Sequence, residues 1–101
     1  MAVGVVLDFK GTTLDQYDQV IKKMGLTPGG PGPAGAISHW VTKTPEGIRV
    51  TDVWEAREQF DRFAQEKIGP YSQEVGFPGP PETTFHEVHN YFTPGTVAGV
   101  R

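Results

Sequence analysis

Between Ala36 and Glu55 the chain alternates apolar and polar residues with a period of two, the spacing of a strand that turns one face inward. Ala36-Ile-Ser-His-Trp-Val-Thr-Lys43 and Ile48-Arg-Val-Thr-Asp-Val-Trp54 flank Thr44-Pro-Glu-Gly47, a set of turn-forming residues. The pattern predicts a hairpin. Setting Lys43 against Ile48 puts Val41 opposite Val50, His39 opposite Asp52 and Ile37 opposite Trp54. One face then carries Ile37, His39, Val41, Ile48, Val50, Asp52 and Trp54. Trp40 points to the other face, where a helix is expected to cover it.

The rest of the chain supplies two helices and two more strands. Ala2 to Phe9 is almost continuously apolar, as a central strand covered on both faces would be. Gly11-Thr-Thr-Leu14 opens a helix, with Thr13 and Gln16 as a capping box and Asp15 in the positive first turn. Leu14, Tyr17, Ile21 and Met24 form its inward stripe, and Gly25 ends it. Thr27 to Gly35 is a Pro- and Gly-rich loop, either an ordinary connection or a lid. Glu55 to Ile68 has helical periodicity through Phe60, Phe63, Ala64 and Ile68. Gly69-Pro70 is expected to interrupt it, with one further turn over 71–75. Glu82 to Phe92 reads as the closing strand. Residues 93–101 form a tail, or an arm that docks on a partner, and residues 1–92 form one domain.

The order β-α-β-β-α-β predicts an α+β, ferredoxin-like fold with a four-stranded antiparallel sheet. Right-handed crossovers place both helices on one face of that sheet. The other face is left bare and is expected to carry apolar and aromatic side chains, which a second copy of the chain would cover. The result would be a homodimer in which two sheets enclose an α/β-barrel cavity, with His39 and Asp52 looking into it.

Composition narrows the chemistry. The chain has 101 residues, 37% of them hydrophobic, with six Phe, two Trp and three Tyr, enough for one packed core. Net charge is -3 and the basic residues are scattered, which argues against nucleic acid and against an anionic membrane surface. The absence of cysteine removes disulfides, thiolate catalysis and Cys-based metal centres. Met1 runs into Val3-Gly-Val-Val-Leu7 with no basic leader and no cleavage motif, so a cytoplasmic protein is expected.

A His–Asp pair on an apolar sheet face is costly unless each group satisfies the other. His39 has the right unperturbed pKa range for general acid–base work near neutrality, and Asp52 would orient its ring. The plain alternative is a structural pair. Trp54, Val41 and Val50 would form an apolar wall for a flat ligand, or simply core. Tyr17 would reach the cavity rim, or pack. His86 and His89 are three apart on a strand and point to opposite faces. If Phe85 faces the helices, His86 joins the cavity; in the reverse register His89 and Tyr91 do. A two-His-one-carboxylate metal site would need His39, His86 and Asp52 to converge, and no metal is expected.

Ile37-Ser-His39, Gly47-Ile-Arg-Val-Thr-Asp-Val-Trp-Glu55, Phe60-Asp-Arg-Phe63 and Phe85-His-Glu-Val-His-Asn-Tyr91 resemble the dimeric α/β-barrel superfamily, in particular its antibiotic biosynthesis monooxygenase-like group. The resemblance covers nearly the whole chain. It departs from the haem-degrading branch, whose Asn–Trp–His arrangement is not recognisable, and Ala56 stands where the group often has Ser. It implies a cofactor-independent monooxygenase, cyclase or isomerase. In that reading His39, with Asp52 and His86, acts as general base on an apolar aromatic or polyketide-like substrate. The alternative is a non-catalytic dimeric protein that binds a small ligand or serves as an accessory domain.

Overall fold

The computed structural model describes residues 1–93. The chain runs β1 (Val3–Lys10), α1 (Leu14–Met24), β2 (Ala36–Thr44), β3 (Gly47–Trp54), α2 (Arg57–Phe63), a π-helical turn (Ala64–Ile68), α3 (Gly69–Val75) and β4 (Glu82–Glu87). The four strands form one sheet in the order β2-β3-β1-β4, with every neighbouring pair antiparallel. This is the expected ferredoxin-like arrangement. All but residue 93 of the tail read from the sequence lies outside the described residues.

The core sits on one side of the sheet. Val3, Val5, Leu7 and Phe9 of β1 and Ile48, Val50 and Trp54 of β3 are buried there, with Val20 of α1 and Phe60 of α2. Phe63, Phe77 and Phe85 pack around this cluster. Edge-on ring contacts of Phe60 with Trp54 and with Phe85, both at 5.7 Å, key the second helical segment to the sheet. The other side of β1 presents Gly4, Val6 and Asp8, all only half-buried. β1 is therefore central but covered on one face alone; its run reads as continuous because Val6 faces outward.

The capping box of α1 forms as expected. Gln16 N–H donates to Thr13 Oγ1 at 3.1 Å, and Thr13 N–H donates to Gln16 Oε1 at 3.0 Å. Gly25, at φ 78°, closes the helix in the left-handed region. The inward stripe is rotated from the predicted one: Val20 is buried, whereas Leu14 is 40% exposed.

Gly69-Pro70 does not interrupt the second helix. The rod from Arg57 to Val75 stays helical by widening into a π turn, in which Gly69 N–H donates to Ala64 O across five residues. Proline lacks an N–H and its ring would strike the carbonyl four residues earlier; a wider turn moves that carbonyl aside. β4 ends at Glu87 rather than Phe92, because its partner runs out. Glu87 lies opposite Val3, and the Val88 N–H makes one last bond to Ala2 O at 3.0 Å.

The hairpin keeps the predicted pairs Lys43–Ile48, Val41–Val50 and His39–Asp52. It departs at Ile37, where a bulge lets Ala36 rather than Ile37 face Trp54. The turn brings Gly47 so close to β1 that an added Cβ would lie 2.0 Å from the Phe9 carbonyl oxygen. Gly47→Ala is therefore expected to cost about 3 kcal/mol or more, read as a fall in the midpoint of chemical denaturation.

Candidate functional site

The face of the hairpin that carries His39 and Asp52 lies under the helices. Trp54, on the same face as Asp52, contacts the rings of Phe60 and Phe63, and His39 meets Tyr17 of α1. The expected location in a cavity between two sheets is thus corrected: these side chains sit between the sheet and α1 of a single chain. Trp40 is corrected with it. It stands on the bare face, 56% exposed, opposite Thr51. Alternation put Trp40 and His39 on opposite faces correctly. What fixes the faces is which side the helices take, and β1 is apolar enough on both sides to leave that open.

Four side chains form a hydrogen-bonded line. Trp54 Nε1–H donates to Asp52 Oδ2 at 3.1 Å. Asp52 Oδ1 lies 2.6 Å from His39 Nδ1. His39 Nε2 meets the Tyr17 hydroxyl in a close hydrogen bond, with the two ring planes 11° apart. Each element delivers its part by register. Strand pairing sets His39 against Asp52, the period of two puts Trp54 on the same side as Asp52, and α1 lays Tyr17 across the edge strand β2.

The chemistry of the partners fixes the protons. A carboxylate only accepts, so Nδ1 carries the hydrogen and neutral His39 is held as the Nδ1–H tautomer. Nε2 is then an acceptor, and Tyr17 O–H donates to it. The line also runs from dry to wet. Trp54 is 1% and Asp52 5% exposed, whereas the His39 side chain is 41% exposed. Burial, then the negative charge of Asp52, push the Tyr17 hydroxyl up to about 12 from its ordinary 10.0, with Asp18 adding to both. Tyr17 therefore stays a neutral donor throughout the physiological range.

The remaining predicted residues divide. Val50 is buried in the core and Val41 packs against it, in the row beside the His–Asp pair. Trp54 is too deeply enclosed to touch a ligand; it acts on the carboxylate instead. Phe85 packs on Phe60, so His86 does take the bare face, opposite Gly4. It is on the far side of the sheet from His39, and the two do not share a site. His89 lies beyond the end of β4. Among the described residues, no three His, Asp or Glu side chains gather as a metal site would require. Two shallow clefts of about 270 and 290 Å³ lie near Pro78–Pro80 and near Arg57 and His86, and neither is lined by a member of the Tyr17–His39–Asp52–Trp54 line.

The sequence singled out all four residues, but it gave Trp54 as an apolar wall or core and Tyr17 as a rim or packing residue, not as hydrogen-bond partners of the His–Asp pair. Asp-x-Trp on a strand was the available signal for the Trp54 bond. No local signal marks Tyr17, whose contact with His39 spans 22 residues.

Among solved structures, a conserved protein from Methanosarcina mazei Go1 superposes with a TM-score of 0.59 at 12% identity, over 85% of this chain and 91% of its own. A monooxygenase from the gene ActVA-Orf6 of Streptomyces coelicolor, solved in complex with nanaomycin D, gives 0.56 at 20% identity over 92% and 91%. A Deinococcus radiodurans protein assigned to the antibiotic biosynthesis monooxygenases gives 0.56 at 11% identity over 92% and 97%. The chain shares the fold of these three proteins, two of which are described as monooxygenases. No sequence family matches it, and neither does any curated protein. No helix among the described residues is long and apolar enough to cross a membrane.

Two outcomes are expected from the site's geometry. Asp52→Ala leaves the buried Trp54 N–H and the His39 Nδ1–H without an acceptor, which should lower stability by about 3 kcal/mol in denaturant titration. The folded chain binds the Tyr17 proton more tightly than the unfolded chain does. The stability this adds is complete below about pH 10 and lost as pH rises toward 12. A pH series of thermal midpoints should show that alkaline loss, and Tyr17→Phe should flatten it.

Proposed function

We propose that the chain is a small-molecule enzyme of the monooxygenase, cyclase or isomerase type that works without a bound cofactor, with His39 as its general base. The observation that carries this reading is the Asp52–His39 pair. A buried carboxylate is held from behind by an indole N–H and fixes one imidazole tautomer, in which Nε2 carries no proton and can accept one. That is the arrangement a proton acceptor needs. The fold shared with the Streptomyces coelicolor monooxygenase supports the same class.

In this reading Nε2 removes a proton from an enolic or phenolic O–H, or from an acidic C–H, of a flat apolar substrate. Asp52 stabilises the imidazolium that results. The enolate or phenolate then reduces dioxygen, one oxygen atom entering the substrate as a carbonyl and the other leaving as water with all four electrons drawn from the substrate, or it closes or isomerises a ring. The reaction takes place between α1 and the sheet of one chain, with Val41 as the nearby apolar wall. His86 has no part in it. A homodimer through the bare face belongs to the same proposal, supported by the exposure of Trp40 there. So does a cytoplasmic setting.

The competing reading is a non-catalytic ligand-binding or accessory protein. The internal satisfaction of the line favours it: both Asp52 oxygens and both His39 nitrogens already have partners within the chain. Oxygen uptake and product formation over a panel of phenols and 1,3-dicarbonyl compounds separate the two. His39→Ala removes one of the two donors that hold the buried Asp52 carboxylate and should lower the thermal midpoint, and the protein that remains folded should turn over about 100- to 10,000-fold more slowly. Undiminished turnover in that variant removes His39 as the base, and a parent chain inert to the whole panel removes the enzyme.

A further inference from the structure

The one acceptor that a substrate must reach is already taken. Asp52 uses Nδ1 of His39, and the Tyr17 hydroxyl sits on Nε2. A lone pair that accepts this hydrogen bond is not available to another donor in the same geometry. The barrier is local. The His39 side chain is 41% exposed, so the ring is reachable and the hydroxyl of Tyr17 covers its acceptor. The backbone beneath Tyr17 is fixed: its N–H donates to Thr13 O at 3.0 Å, the helix start is closed by the Thr13–Gln16 box, and its end is closed at Gly25. Release therefore means rotation of one side chain rather than movement of a helix.

We infer that Tyr17 is a displaceable cap that determines which ligands reach His39: a ligand must bring a hydroxyl that donates to Nε2 more strongly than the Tyr17 phenol does. The inference rests on the proposed role of His39 and assigns that site a selectivity. Water and aliphatic alcohols are weaker acids than a phenol and lose the exchange. Enols, and phenols that carry electron-withdrawing groups, win it. Burial and the nearby Asp52 disfavour the Tyr17 phenolate, so Tyr17 stays a neutral donor in place on Nε2.

Carbethoxylation of imidazole by diethyl pyrocarbonate, followed site by site by peptide mass spectrometry, reads the availability of Nε2 directly. The chain has three histidines, and the exposed His86 and His89 serve as internal references. Tyr17→Phe keeps the ring and removes the hydroxyl. It should raise the His39 rate about tenfold relative to the references, the worth of one net hydrogen bond. In the unsubstituted chain, 4-nitrophenol should protect His39, and cyclohexanol at the same concentration should not. A His39 rate that stays unchanged in Tyr17→Phe, or rises only in step with His86 and His89, overturns the inference. Equal protection by the two hydroxyl compounds overturns it as well. Because the readout is modification rather than turnover, a chain that frees Nε2 as described yet converts no substrate would sink the enzymatic reading and leave the cap standing.

Discussion

A single carboxylate placed in an apolar interior governs this molecule. Asp52 is 5% exposed and is flanked along β3 by the buried Val50 and Trp54. Left alone there, it would cost more than a domain of this size can absorb. It is tolerated because two N–H groups, from the indole of Trp54 and the ring of His39, meet its two oxygens. That requirement fixes the hairpin register, the rotamer of Trp54 and the tautomer of His39 together. A slip of one residue would send the whole set to the other face of the sheet.

The hairpin was legible in the sequence because two local signals agree. A four-residue turn and a period of two leave one register that pairs His39 with Asp52. The capping box at Thr13 and the glycine stop at Gly25 were legible for the same reason, since each depends on residues within one helical turn. What could not be read is which face of the sheet the helices cover. Val6 and Trp40 make the outer face partly apolar, so hydrophobicity does not separate inside from outside on β1 and β2. The pairing of His39 with Asp52 was therefore read correctly and its surroundings were not: the pair belongs to the interior of one chain. His86 was assigned the right face, and that face proved to be the wrong side for His39. Tyr17 was visible as an inward helix residue that reaches the cavity rim or packs, but not as the partner of His39, because that contact depends on how α1 lies across the sheet.

Gly69-Pro70 teaches a related point. Read locally, the pair ends a helix. In the fold, Phe60 and Phe63 on one side and the α1–α3 ion pair of Lys23 with Glu74, at 2.8 Å, on the other hold the rod in line. The chain resolves the conflict by widening one turn rather than by breaking. Tertiary contacts thus outweigh a strong local breaker, and the cost is confined to five residues.

That widened turn has a neighbour that matters. It begins at Ala64, directly after Phe63, whose ring lies 5.4 Å from Trp54, and Trp54 carries the N–H that seats Asp52. The irregular stretch of the rod is therefore linked to the imidazole through two aromatic rings and one carboxylate. The turn that makes room for Pro70 and the indole that seats Asp52 therefore meet at one aromatic contact, Phe63 against Trp54.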